Sequence, residues 1–560
     1  MQSDLDREFD TAMAAVIGPG GRVVIERDSY GQAIAGNFPP TLSSFFAAFC
    51  ALNGAADAVI AGDERLSFAD LDRLSDAVAR GLVERGITKG DRVAIAMRNC
   101  PSWIITYMAA LKAGAIAILI NGWWQSEELA HALTLTSPRL ILADAPRAAR
   151  IAEVAGEWEL VTIAIERGAE EALAALFGKH DATAMPVIAP DDDATILFTS
   201  GSTGDAKGAL STHRAVTTAI YTYATHLMTL LGILNERGTP PANVPKTLVN
   251  VPLFHVTGEV PVLLTSFIVG RGMVLMPKWD AGEALRLIEH EKVTYFVGVP
   301  TMSLELMNHP DREKHDLSTL TDIAAGGAAR PISHVTRLQE SFTGAQPALG
   351  YGLTETNAVG CGNFWKNYAD KPASTGRATA PFVEIVILGA GDAHLPANER
   401  GEIGIRTAAN FKGYWNDPRA TAAAFTGDHF LKTGDIGYLD DDGYLFIVDR
   451  KKDIIIRGGE NISCQEVESA IYAHPAVAEA SVFGLPDERL GEIVGAVVYP
   501  KAPLEADALC EFLARDLASF KVPARIWMVA EPLPKLGSAK IDKVTLRTLY
   551  RAQVAHTESV

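Results

Sequence analysis

Ten consecutive residues concentrate small, polar and cationic groups: Thr199-Ser200-Gly201-Ser202-Thr203-Gly204-Asp205-Ala206-Lys207-Gly208. They hold three glycines, four hydroxyls and one lysine. Glycines let the backbone come close to a ligand. Successive N–H groups and hydroxyls can cradle phosphate oxygens, and Lys207 adds a point charge. The pattern is neither a Walker A loop, which ends in Gly-Lys-Ser/Thr, nor GxGxxG. A flexible Gly/Ser turn is the plainer alternative.

Such a loop needs a rigid element before it, and the run Thr195 to Phe198 reads as a strand. Elsewhere, short apolar runs alternate with helical patterns. Residues 91–97, 115–120, 247–252 and 295–299 read as strands, and 103–113 and 281–291 as helices. This alternation predicts an α/β fold with parallel sheets covered by helices. The turn Asp440-Asp441-Asp442-Gly443, the strand Tyr444 to Val448 and the charged run Asp449 to Asp453 precede a fresh strand, a Gly458-Gly459 loop and a helix from about Gln465. We place a domain boundary there, with 1–449 as the large domain, 450–453 as the hinge and 454–560 as a small C-terminal domain.

Together with four further segments, the loop resembles the signatures of the adenylate-forming, or AMP-binding, superfamily in its acyl-CoA synthetase branch. The segments are Gly350-Tyr351-Gly352-Leu353-Thr354-Glu355; Thr433-Gly434-Asp435; Asp449-Arg450-Lys451-Lys452-Asp453 with Arg457-Gly458-Gly459-Glu460-Asn461; and Pro534 to Ile541. The resemblance runs from about residue 41 to 550. The chain departs from the pattern at Ala206, usually proline, and Ala539, usually glycine. The first forty residues match nothing we can name.

The resemblance implies a large N-terminal domain of two helix-covered sheets plus a small barrel-like part, followed by a small mobile α+β domain. It also implies a reaction in two halves. A carboxylate attacks the α-phosphorus of ATP to give an acyl-adenylate and pyrophosphate; the thiol of coenzyme A then displaces AMP. Thr199, Ser200, Gly201, Ser202, Thr203, Gly204 and Lys207 would hold the phosphates. Tyr351 would stack on adenine, with Gly326, Gly327 and Ala328 opposite and Gly352 alongside. Asp435 would bind the ribose hydroxyls, with Arg450 beside it. Thr354 would meet the α-phosphate, and Glu355, with Thr203, would hold Mg2+. The plainer role for Thr354 is the N-cap of a helix. Lys540 would bridge carboxylate and α-phosphate, although with Lys535 and Lys543 nearby a surface lysine is the alternative. Lys452 would be the hinge, and Gly458 and Gly459 would admit the pantetheine arm.

His255, in Pro252-Leu253-Phe254-His255-Val256-Thr257-Gly258, stands where amino-acid-activating relatives carry aspartate. A neutral imidazole cannot pair with a substrate ammonium, so an amino acid is disfavoured. Val256, Gly298, Val299 and Pro300 are small or apolar, which suits a hydrophobic fatty or aryl monocarboxylate. Trp123-Trp124 could line an entrance, form a homodimer contact or simply pack.

With 50 Lys+Arg against 68 Asp+Glu, the net charge is −18, which argues against a nucleic-acid partner. Five cysteines without a CxxC pair suggest neither a disulfide framework nor a zinc site, and they suit a reducing cytoplasm. Two apolar stretches, 104–120 and 215–234, read as buried helices rather than membrane spans. A separate carrier-protein thiol in place of CoA, and a non-catalytic nucleotide sensor, are the competing functions.

Overall fold

Every residue of the helix Pro101–Lys112 is buried. A helix apolar on all sides belongs in a protein interior. In this computed structural model it lies beneath the first sheet, with Trp103 stacked on Tyr107 at 5.3 Å. Residues 2–180, 182–199, 206–327, 330–342, 344–450, 453–457, 460–487, 489–536 and 540–557 are described. Lys112 ends this helix with its ammonium held by Asp72, Ser75 and Asp76 at 2.6, 2.9 and 2.6 Å. The second apolar stretch lies within the helix His213–Glu236. Its Thr222, Thr225 and Thr229 hydroxyls donate to carbonyls four residues back at 2.7–2.9 Å, so they are buried without loss. Among the described residues no helix is long and apolar enough to cross a membrane.

The first sheet has seven strands. Glu159–Ile163, Leu140–Asp144, Arg92–Ala96, Ile116–Leu119 and Asp193–Thr199 run parallel. Lys207–Thr212 returns antiparallel to Asp193–Thr199, so the two strands bracket the loop expected to bind phosphate. The second sheet is parallel through Lys246–Val249, Tyr295–Gly298, Asp322–Ala325 and Gln346–Gly352. It then continues antiparallel through Gly360–Phe364, Gly376–Ala378, Tyr444–Arg450, Leu431–Leu439, Gly401–Arg406 and Glu384–Leu388. The small barrel-like part expected from the resemblance is therefore joined edge to edge with the second sheet. A third sheet holds Ile455–Arg457, Glu460–Ile462, Val477–Asp487, Gly491–Pro500 and Arg525–Met528. The chain passes from the second sheet to the third between Arg450 and Ile455.

The parallel strands of the second sheet end on one edge. Asn250, Val299 and Gly326 follow three of them there. Ligands of open α/β sheets bind outside such carboxyl ends.

The N-terminal helix Asp4–Ile17 lies across His213–Glu236, burying Leu5 and Ala12 against Ile233 and Trp365. A reciprocal Ser3–Asp6 capping box starts it. Asp6 is buried, and its Oδ1 accepts from Asn367, Arg377 and the Tyr444 hydroxyl at 3.1, 3.2 and 2.9 Å. One carboxylate therefore ties the helix to three distant segments. We expect Asp6→Ala to cost about 1–3 kcal/mol in denaturant unfolding, because a partly buried guanidinium and two further donors lose their acceptor. Asp10→Ala removes a half-exposed partner of the same arginine and should cost under about 1 kcal/mol. Equal costs would show that the burial of Asp6 contributes nothing.

Candidate active site

Part of the candidate site is built on three strands. Tyr351 donates its hydroxyl to Asp435 Oδ2 at 2.6 Å. Asp435 is buried and faces Arg450 across the antiparallel ladder, with Arg450 Nε 3.2 Å from Asp435 Oδ1. Burial and the Asp435 carboxylate hold the Tyr351 hydroxyl well above its ordinary pKa, so it remains a donor. The ring is pinned at its hydroxyl. Asp435 and Arg450 thus stand beside Tyr351, as ribose and adenine groups would require.

After Tyr351 and Gly352 the chain makes a single 3-10 turn, Thr354–Thr356. Leu353 occupies the capping position, and its amide donates to Thr356 Oγ1 at 3.0 Å. The helix-capping role considered for Thr354 is therefore not what the structure shows. The chain leaves Glu355 through Asn357 and Ala358 at φ 48° and 66°, a conformation L residues adopt at a cost. Asn357 is buried and holds the corner by donating to Ser211 Oγ at 3.0 Å and to the Ala409 carbonyl at 2.8 Å. Gly352 must be glycine for the same reason, since a Cβ there would lie 2.3 Å from the Ala358 carbonyl oxygen.

Glu355 Oε1 accepts from the Tyr414 hydroxyl at 2.8 Å, and Lys207 Nζ lies 4.9 Å from the centre of the Tyr414 ring. This joins the expected metal ligand to the expected phosphate lysine through a tyrosine that the sequence motifs did not flag. Among the described residues no three His, Cys, Asp or Glu side chains form a metal cage. One carboxylate fits Mg2+, which takes few protein ligands and completes its shell with phosphate oxygens and water. His131 Nε2 lies 2.9 Å from the Ala206 carbonyl and braces the end of the loop. Thr199 closes the strand Asp193–Thr199. Ser200, Gly201, Ser202, Thr203, Gly204, Ala328, Lys452, Gly458 and Gly459 lie outside the described residues.

The second part of the candidate site is a narrow cleft lined by Val251, Pro252, His255, Thr257, Gly298, Val299, Gly326, Gly327 and Lys540. Gly327 has φ 75°, and a Cβ there would meet Lys540 Cε at 2.9 Å and Nζ at 3.0 Å. Lys535 pairs with Glu479 and Glu305 at 2.9 and 3.4 Å, and Lys543 with Glu468 at 2.6 Å. Lys540 has no carboxylate partner among the described residues. Burial, and then the Arg450 cation, bring its pKa down to about 8. It is therefore the cleft's cation and not a surface lysine.

His255 is pushed down to about 3 by burial and by Lys540, so it is neutral. The Thr257 amide donates to its Nδ1 at 3.3 Å, which leaves the ring proton on Nε2. Gly298 and Val299 line the cleft as expected of acyl-pocket residues. Val256 and Pro300 do not: both are buried, Val256 in the main apolar core. The residue after His255 points away from the cleft, and the next one, Thr257, points into it. Trp124 packs on Phe198 at 5.0 Å, whereas Trp123 is half-exposed against Phe254, the neighbour of His255.

The chain matches the AMP-binding enzyme family over residues 46–415 and the AMP-binding enzyme C-terminal domain over residues 466–540. It is 35% identical over 515 residues to a long-chain-fatty-acid–CoA ligase of Bacillus subtilis, covering 85% of this chain and 89% of that protein. It is 34% identical over 499 residues to a feruloyl-CoA synthase of an Amycolatopsis species, covering 88% and 96%. The crystal structure of ATP-bound MatB from Rhodopseudomonas palustris superposes with a TM-score of 0.79 at 28% identity, covering 91% of this chain and 99% of that one. A Mycobacterium tuberculosis fatty acyl CoA synthetase superposes at 0.70 with 29% identity, covering 92% and 99%. With the family matched across both of its domains, the chain belongs to the AMP-binding enzymes, in their acyl-CoA synthetase branch.

Proposed function

We propose that the chain joins a hydrophobic monocarboxylic acid to coenzyme A by way of an acyl-adenylate, with Lys540 as the residue that brings acid and α-phosphate together. The observation that carries this reading is the Lys540 ammonium in the Gly298–Gly327 cleft, without a carboxylate partner among the described residues, between two neighbouring lysines that are both paired. Both partners of the first step are anions. A buried cation between them offsets their repulsion and fixes the angle of attack.

The other residues supply position. Asp435 accepts from the ribose hydroxyls while Tyr351 presents its ring to adenine. Lys207 and the loop before it hold the phosphates. Bound Mg2+ offsets charge on those phosphates, and Glu355, oriented by Tyr414, is its protein ligand. Neutral His255 presents Nε2–H to the acyl side and rejects a substrate ammonium. Among the described residues Lys540 is the single cation lining the cleft, so a second carboxylate on the acid would go unpaired. Relatives named for fatty and for feruloyl substrates fit this range of acids. In the second step CoA needs access to the same carbonyl. We assign the change of domain placement to a pivot at Lys452 and the thiol path to Gly458 and Gly459. Free cysteines, four of them buried, suit a reducing cytoplasm, and half-exposed Trp123 is the contact to examine for a homodimer.

A panel of acids with ATP, assayed for pyrophosphate with and without CoA, tests the reading. Pyrophosphate without any acyl-CoA would move the thiol to a carrier protein. We expect Lys540→Ala to lose adenylation by about 100-fold or more while thioester formation from preformed adenylate persists. An equal loss in both halves would make the lysine structural. The cation is needed, and deprotonation near pH 8 removes it, so wild-type adenylation kcat/KM for ATP should fall as pH rises above about 8. A profile flat to pH 10 would take Lys540 out of the step. Glu355→Gln should raise the Mg2+ concentration giving half-maximal adenylation, and Tyr414→Phe should shift it less, in the same direction. An unchanged Mg2+ response in both variants would remove the pair from the metal site.

A further inference from the structure

Asn250 follows the strand Lys246–Val249 and is buried, with 6% of its surface exposed. The neighbouring parallel strand is in register through Leu248 and Phe296 and ends at Gly298, so Asn250 and Gly298 stand side by side at the carboxyl edge. Gly298 lines the reacting cleft, as does Val251, the residue after Asn250. A Cβ on Gly298 would meet Asn250 Nδ2 at 3.1 Å and Met302 Sδ at 3.0 Å. Only a glycine leaves that amide uncovered.

The amide is poorly served by its own protein. Asn250 Oδ1 is buried and has no hydrogen-bond partner among the described residues. Nδ2 faces the thioether sulfur of Met302 at 3.1 Å, a weak acceptor. In the first turn of the adjacent helix Pro300–Asn308, Thr301 Oγ1 is buried and unpartnered as well. Buried polar atoms in native proteins are nearly always paired, and a leucine of similar shape would remove the penalty at Asn250. The Asn250 amide, against cleft-lining Gly298, and the Thr301 hydroxyl, two residues past cleft-lining Val299, therefore have hydrogen-bonding capacity to offer a bound molecule.

We propose that Asn250, with Thr301, recognises a neutral group that both donates and accepts hydrogen bonds, a hydroxyl or an amide, on a substrate entering the cleft. This rests on the ligase reading above. Both side chains are neutral, so a charged group would gain no counter-charge from them. Two substrates can bring the matching chemistry. One is an acid with a hydroxyl on its otherwise apolar body. The other is CoA, whose pantetheine arm carries amides.

The test uses the full chain and times the two half-reactions separately. Pyrophosphate release is measured with pairs of acids differing by one hydroxyl. Thioester formation from isolated adenylate is measured with CoA and with a plain alkanethiol that lacks amides. Asn250→Leu should erase one of these preferences by about tenfold or more, because a site built to pair a polar group discriminates against molecules lacking it. Loss confined to the acid pairs assigns the group to the acid; loss confined to CoA against the alkanethiol assigns it to the pantetheine. Thr301→Val should reduce the same preference. An Asn250→Leu protein that melts like the wild type and keeps both preferences overturns the proposal. So does an equal fall with every acid and thiol, which marks a structural role. If Asn250→Leu does not fold, Asn250→Ser, judged by the same preferences, decides. A wild-type chain that releases no pyrophosphate with any acid would defeat the ligase reading itself.

Discussion

The arrangement turns on a cation partly withdrawn from water. The ammonium of Lys540 sits in a cleft with neutral and apolar walls, where burial and Arg450 both work against its charge. An isolated buried cation is costly, and the protein supplies it no carboxylate among the described residues. Anionic substrates are what make the charge favourable. The same desolvation that lowers its pKa strengthens its attraction for a phosphate or carboxylate entering beside it. Much of the surrounding structure serves to hold that ammonium in place. Gly327 leaves room for its stem, Lys535 anchors its segment to Glu305 on one domain and Glu479 on the other, and the Leu536 amide donates to the Lys540 carbonyl at 2.7 Å.

Position on the nucleotide side is set by strain rather than by charge. The Asn357–Ala358 corner takes two L residues into the left-handed region, which persists only where surrounding contacts over-determine it. Here the contacts are the buried Asn357 amide and the Ala358 amide donating to the Leu353 carbonyl at 2.9 Å. The corner aims Glu355 at Tyr414 and Lys207, while Gly352 packs tightly against its outer side. The two halves of the site are thus a flexible cation brought in by one domain and a stiff carboxylate frame owned by the other.

Most of the fold was legible because periodicity and turn residues are local. The parallel strands, the helices Pro101–Lys112 and Ala281–Glu291 and the chain's passage between sheets near residue 450 all lie within a few residues of where the patterns put them. Joining the small barrel-like part to the second sheet was not legible, since edge pairing depends on partners far apart in sequence. In the site, linear motifs pointed to Lys540, Glu355, Asp435 and Tyr351, which the fold brings to the two parts of the candidate site. They could not find Tyr414, His131 or Thr257, whose roles come from contacts with residues distant in the chain or from the pitch of one turn. His255 is neutral because it is buried beside Lys540, and the wall next to it is lined differently from the motif's expectation. The segment after His255 turns so that Thr257, not Val256, faces the cleft.

Arg450 links the pieces. It is the last residue of its strand, adjoins the expected hinge, pairs with Asp435 and repels Lys540. One side chain thereby adjoins the proposed ribose site, the expected hinge and the proposed catalytic lysine. Its charge stabilises buried Asp435 yet opposes the placement of Lys540 in the cleft, so this domain arrangement carries a built-in repulsion. Anionic phosphate or adenylate between the two cations screens that repulsion and favours the placement. When negative charge leaves the cleft, the balance shifts toward withdrawing Lys540. In the proposed reaction, the electrostatics that would assist adenylation would then also favour clearing the site for the thiol.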